Sequence, residues 1–177
     1  MRTITTERLR LIPVTMKNAD ALWTVMQHPQ LRDHQELPDL SREDFSALVA
    51  ARPHQLKPHA LGRFEWLIYF GERLDPVGWV SLRIGDARPR GAEIGYSVLT
   101  GFRKRDIATE AISALIPEAY AVARVKTVRA YTVPGNHASR RVLEKLGFEQ
   151  DGFLPHGASV HGKPVDVLTF IAPPHQP

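Results

Sequence analysis

The stretch TGFRKRDIATEAI, residues 100–112, sets three consecutive cations, Arg103, Lys104 and Arg105, where a turn opens into a helix. A helix N-terminus exposes unpaired N–H groups and a partial positive charge, so it attracts phosphate without base or metal. A strand, a tight turn and a basic helix start is the general grammar of a pyrophosphate cradle. No glycine lies between Gly101 and Gly135, however, and Asp106 brings a carboxylate to the place where an anion would dock. Further along, Asn136 and Ser139 are one helical turn apart and share a face. Asn136 also suits a plain helix cap, and Ser139 a first-turn residue.

Other chemistries are less well supplied. With no cysteine there is no disulfide, thiolate zinc site or cysteine nucleophile. The eight histidines show no ligand spacing, and His156 and His161 are expected in a late loop, so no metal is implied. No G-x-S-x-G elbow is present for a serine hydrolase. The net charge is +4 and the pI about 9.6, but Lys and Arg are spread along the chain rather than gathered in a stripe with aromatics. A small anionic ligand explains the one local cluster better than nucleic acid does.

These residues need a scaffold. At 177 residues, 43% hydrophobic and 24% charged, the sequence suits one globular domain, 1–177, with a sizeable core. Apolar runs fall short of the roughly 20 residues of a membrane span, and the start lacks a secretory signal's apolar stretch. A cytoplasmic protein is expected. Alternation predicts a strand over 7–14. Helical spacing predicts 18–29 and 41–53, the latter opening with a capping-box-like Ser41 and Asp44. A hairpin over 63–86 and a strand over 91–99 follow; Gly95 inside that strand suggests a bulge or a close backbone approach. Residues 107–121 read as a helix that Pro117 kinks or ends. Then come a strand at 126–133, a helix within 134–148 with Asn136 near its N-cap and Gly147 at its C-cap, and short strands near 148–154 and 165–171. The order βααβββαβαββ implies one α/β domain with a mixed sheet covered on both faces.

Three segments, TTERLRLIPVT, AEIGYSVLTGFRKRDIATEAI and NHASRRVLEKLGFEQDGFL, resemble the GCN5-related N-acetyltransferases. The similarity is to the branch typified by ribosomal-protein N-terminal acetyltransferases and runs from residue 5 to about 171. It implies a mostly antiparallel twisted sheet of six to seven strands, with acetyl-CoA as acyl donor. The family's phosphate signature falls on Arg103, Lys104, Arg105, Asp106, Ile107 and Ala108, with Thr109 next. Arg103 and Ala108 match it. Asp106 replaces the most regular glycine and Lys104 a frequent one. Asp106 is also a good N-cap residue, and its carboxylate could occupy the helix N–H groups that a pyrophosphate needs, or turn away from the ligand and weaken binding without abolishing it. A carboxylate about 5 Å from a phosphate charge costs about 3 kcal/mol at an effective dielectric of 20, a term that three flanking cations offset.

By the same resemblance, the backbone of Tyr96, Ser97, Val98 and Leu99 holds the pantetheine arm, where the strand splays from its neighbour. Asn136 contacts the arm, Ser139 lies near its sulfur as the candidate thiolate partner, and Arg140 meets a CoA phosphate or is merely solvated. Acyl transfer to an amine also needs a base, for which Glu93 is the candidate, alternatively an exposed strand glutamate. The Val98 N–H would polarise the thioester carbonyl. Tyr131 is a second candidate acid, with core packing as the alternative. The acidic segment DHQELPDLSRED, 33–44, would draw a cationic acceptor amine, small-molecule or peptide, or is a solvated loop. No nucleophile for an acyl-enzyme is evident, so direct attack in a ternary complex is expected, by a monomer or homodimer. The altered phosphate signature leaves a second reading, a weakened or inactive CoA-binding module of the same fold.

Overall fold

The computed structural model describes residues 1–87 and 89–174. An eight-stranded sheet runs in the order β1-β2-β3-β4-β5-β6-β8-β7. The strands are β1 (Ile4–Thr5), β2 (Leu9–Pro13), β3 (Gly62–Phe70), β4 (Gly78–Ile84), β5 (Gly91–Val98), β6 (Thr127–Thr132), β7 (Glu149–Val160) and β8 (Lys163–Ile171). All neighbours are antiparallel except β5 and β6. The helices are α1 (Ala19–Met26), α2 (Arg42–Ala50), α3 (Ile107–Pro117) and α4 (His137–Lys145).

Burial on both faces explains why β3, GRFEWLIYF, is apolar almost throughout. Phe64, Trp66 and Ile68 join the core formed with α3 and α4, whereas Leu67 points the other way into a second core with α1, α2 and Trp79. Strand side chains alternate between faces, so this parity assigns every sheet residue to one layer or the other. Ile107, Ala111, Leu115 and Ala119, spaced by four, are all fully buried in the first core.

Helix ends follow local chemistry closely. The Ser41 hydroxyl caps α2 by accepting from the Asp44 N–H (3.0 Å), and it donates to the Asp44 carboxylate (2.7 Å). At the end of α4, Gly147 takes φ +75, with Gly147 N–H donating to Glu144 O and Phe148 N–H to Leu143 O, both 3.0 Å. That is a Schellman motif. Pro117 ends α3, and the chain continues as one wide turn, 118–122, in which the Ala123 N–H reaches Glu118 O.

Three expectations need correction. The sheet has eight strands rather than six or seven, because the two-residue β1 pairs with β2. The last two strands are much longer than 148–154 and 165–171. A two-residue turn joins them, His161 and Gly162, both at positive φ, which suits a tight hairpin. His161 therefore sits in that turn, and His156 in the irregular stretch of β7 between Leu154 and Ala158, not in a loop. Finally, the β4–β5 register runs unbroken through Gly95, with no bulge. A Cβ there would lie 3.0 Å from Ser81 Oγ and 3.5 Å from the Trp79 ring, so the glycine leaves room for those side chains. Among the described residues, no helix is long and apolar enough to cross a membrane.

Candidate active site

The sheet opens between β5 and β6. They pair only over Gly91↔Thr127, Ala92↔Val128 and Glu93↔Arg129, although β5 continues to Val98 and β6 to Thr132. On its other edge β5 stays paired with β4 throughout. The Leu99 N–H donates to Val77 O (2.9 Å) on the β4 side. Backbone direction alternates along a strand, so the N–H groups of Tyr96 and Val98 face the gap. A bare strand edge of this kind accepts an extended ligand as an added strand. Because β5 and β6 are parallel and each leads into a helix, the N-termini of α3 and α4 both lie at the carboxyl ends of the diverging strands. That crevice is where open α/β sheets receive ligands.

The two helix starts differ. Asn136 Oδ1 caps α4 by accepting from the Ser139 N–H (3.1 Å). Asp106 stands at the N-cap of α3 with φ 57 and ψ 16, and makes no capping hydrogen bond. Of the two orientations the sequence leaves open, onto the helix N–H groups or away from them, the structure has the second. The carboxylate points instead to the Lys145 ammonium at the end of α4, 2.5 Å away. Lys104 also has positive φ, 59. The two residues that replace glycines both keep left-handed backbone, which Asp tolerates and Lys adopts at a cost of roughly 1–2 kcal/mol.

Of the three cations, Arg103 is engaged structurally, its guanidinium donating to Val98 O and Gln30 O, each 3.2 Å away. Arg105 lies over the Phe102 ring, which Arg73 also covers. Lys104 is exposed. Ile107 is core, and Ala108 packs partly against it. Two buried polar atoms nearby lack a hydrogen-bond partner among the described residues: Thr109 Oγ1 in the first turn of α3 and Arg140 Nε in the first turn of α4. An unsatisfied buried donor or acceptor costs roughly 1–3 kcal/mol, so both suit a site completed by a polar ligand. An uncapped helix start, exposed cations and these two atoms fit the phosphates of a CoA thioester.

Across the gap, the Tyr96 hydroxyl lies 2.8 Å from Ser139 Oγ and 3.3 Å from the Ser139 carbonyl, to which it donates. Burial pushes the Tyr96 phenol up to about 12, partly opposed by its bond to Ser139, so it stays protonated at neutral pH. This pairing is not legible in the sequence, which suggested only a backbone role for Tyr96.

Glu93 and Tyr131 lie on the opposite face. Glu93 is the last residue of β5 paired with β6, its side chain 37% exposed and its carboxylate 3.4 Å from Arg83 Nε. Its register partner Arg129 shares that face, as does Tyr131 two residues on. Tyr131 is 42% exposed and therefore not core packing. Ser97 is on this side too, its hydroxyl accepting from Gln35 (2.7 Å), while Leu99 packs against the α1/α2 core. The sheet thus separates the Tyr96–Ser139 pair from Glu93 and Tyr131.

On that second face an open cavity of about 560 Å³ lies between the 32–39 segment, Arg63 and the β7–β8 turn. Glu36 latches the turn to the segment, accepting from the Gly162 N–H (2.8 Å) and Ser159 Oγ (3.3 Å). Arg32 donates to the Leu37 and Pro38 carbonyls, and Arg63 pairs with the buried Glu65, which Arg52 also holds. Among the described residues, Asp39 is the lining carboxylate with no hydrogen bond or ion pair. Arg42 turns away, pairing with Asp20 at 2.7 Å and covering the Trp23 ring.

A split mixed sheet with two helix starts at its mouth is the architecture that the resemblance to the acetyltransferases implies, and comparison with known proteins agrees. Residues 8–149 match the acetyltransferase (GNAT) domain, and the chain belongs to that family. It is 23% identical over 165 residues, 93% of either chain, to the uncharacterized N-acetyltransferase YoaA of Bacillus subtilis (strain 168). The fold is shared with RimL, a ribosomal L7/L12 alpha-N-protein acetyltransferase solved with coenzyme A (TM-score 0.80, 18% identity, 96% of this chain and 97% of that one). It is shared equally with a ribosomal-protein-S5-alanine acetyltransferase from Vibrio fischeri (TM-score 0.80, 17% identity, 97% and 96% covered).

Proposed function

We propose that this protein transfers an acetyl group from acetyl-CoA to a primary amine, a protein N-terminus or a small-molecule amine, by direct attack in a ternary complex. The observation that carries the reading is the divergence of β5 from β6 with an uncapped helix start at its mouth. Acetyl-CoA supplies the activated acetyl thioester. The gap edge of β5 would hold its pantetheine arm, the Val98 N–H would polarise the carbonyl, and the α3 start with Lys104, Arg105 and Thr109 would take the phosphates. Asn136 and Arg140 would contact the arm and a phosphate from α4.

The acceptor would enter from the second face. Glu93, at the root of the gap, is the candidate base, acting through water, since an amine with a pKa near 10.4 needs deprotonation at neutral pH. Ser139, held by the protonated Tyr96, would hydrogen-bond or protonate the departing thiolate. Tyr131 sits with the acceptor, away from the sulfur. The ribosomal acceptors in the names of two structural relatives favour a protein or peptide amine. Asp39 would attract its positive charge.

Acetyl-CoA binding is measured first by calorimetry, then free thiol release with a panel of peptides and small amines. Binding together with turnover on one acceptor is expected. No binding refutes the reading, and binding without turnover on any amine replaces it with a CoA-binding module.

A further inference from the structure

We propose that Lys145 is a positioning residue for the phosphate turn: it holds the Asp106 carboxylate away from the α3 N–H groups and makes a turn without glycine competent for its ligand. The inference rests on the reading above, in which the α3 start receives the cofactor's phosphates. Two separate questions arise when Asp replaces glycine in such a turn, the backbone shape and the added charge. Shape is retained, since Asp106 and Lys104 both occupy the left-handed region that glycine would supply. Charge is the remaining obstacle. Aspartate at an N-cap ordinarily accepts from its own helix, two or three residues on, and would there compete with phosphate for the same donors.

The structure removes that competition through a residue 39 positions away in sequence. Lys145 Nζ sits 2.5 Å from Asp106 Oδ1, and α3 is left with no side-chain cap. Its ammonium both turns the carboxylate aside and neutralises it beside the expected anion. Both side chains are more than half exposed, 60% for Asp106 and 57% for Lys145, so neither is needed for the core. An exposed ion pair of this kind contributes little to stability, so its effect should show in ligand affinity rather than in folding. Lys145 is also the last residue of α4, whose first turn carries Ser139 and Arg140, so the contact ties together the helices on either side of the gap.

A double-mutant cycle tests this. Coenzyme A affinity is measured by calorimetry for the wild type, Lys145→Ala, Asp106→Gly and the double variant, with thermal melting as a folding control. Lys145→Ala is expected to weaken binding about five- to tenfold and to raise KM for acetyl-CoA without changing kcat. Lys145→Arg should restore it. In the Asp106→Gly background the same lysine substitution should have no effect. Equal affinity of the wild type and Lys145→Ala overturns the proposal, as does an equal loss in both backgrounds, which would make Lys145 a direct phosphate ligand. A wild type that binds no coenzyme A refutes the reading of the site itself, a result distinct from either.

Discussion

Helices α3 and α4 begin at the same mouth of the sheet, yet only one is closed. Asn136 caps α4 with its own side chain, whereas α3 begins at a left-handed Asp106 whose carboxylate is committed elsewhere. A capping side chain typically contributes about 1 kcal/mol. Leaving α3 without one forgoes that stabilisation and keeps its N–H groups available. The contrast teaches that a helix start can be recognised as a ligand site by which local hydrogen bonds it declines to make.

The contrast can be broken most forcefully by closing α3 with a fixed charge. Ala108→Asp puts a carboxylate in the first turn, about 5 Å from a bound phosphate, and should reduce acetyl-CoA affinity by about 3 kcal/mol, roughly a hundredfold, in calorimetry. An acid in the first turn suits the helix dipole but gives up the partial packing of Ala108, so thermal melting accompanies the titration to separate lost affinity from lost stability. Unchanged affinity would mean that the anion docks elsewhere.

The bond from β5 to the α4 start is next. Tyr96→Phe should lower kcat at least about tenfold, with KM for acetyl-CoA little altered. It also has a pH signature. The phenol is raised in the folded protein to about 12 from an ordinary 10, so its stabilising contribution is complete below pH 10 and is lost as pH rises towards 12. That contribution is about 2–3 kcal/mol, and denaturant titrations across pH 9–12 should fall more steeply for the wild type than for Tyr96→Phe. Parallel curves would show that the phenol is unperturbed.

Smaller effects sharpen the comparison. Asn136→Ala should cost about 1 kcal/mol and lower Tm by about 2–4 °C, since it removes an existing cap. Asp106→Gly should change stability by no more than about 0.5 kcal/mol, the relief of left-handed backbone roughly offsetting the lost exposed ion pair. If the second loss matched the first, Asp106 would be acting as a cap after all.

What was legible in the sequence depended on how local its cause is. The ends of α4 were readable because Asn136 and Gly147 act within one turn of themselves. The first-core face of α3 was readable from spacing by four. The direction of Asp106 was not, since its partner Lys145 lies on another helix. Nor was the Tyr96–Ser139 pair, which joins residues 43 apart across a gap. Strand parity suffices to put Glu93 and Tyr96 on opposite faces, although the sequence analysis drew no such contrast, and Tyr131's exposure depends on what covers β6. The His161–Gly162 turn was missed because it is not one of the Asn-Gly or Asp-Gly pairs that mark a two-residue hairpin, and β1 is too short to show any period. The acidic 33–44 segment promised a patch. Three of its five carboxylates serve separate ends: Glu36 in a hairpin latch, Asp44 in a helix cap and Asp39 in a cavity lining.

The divergence of β5 from β6 also bears on solubility. Unpaired strand edges ordinarily invite another chain to add on, and proteins blunt them with charge, proline or cover. Here the bare edge is recessed between two strands of one sheet, with a helix start at its mouth, instead of lying at the sheet's margin. A second polypeptide sheet cannot slide alongside it, whereas a slender, flexible arm can. The same geometry that leaves hydrogen bonds unmade for a ligand therefore shields them from self-association.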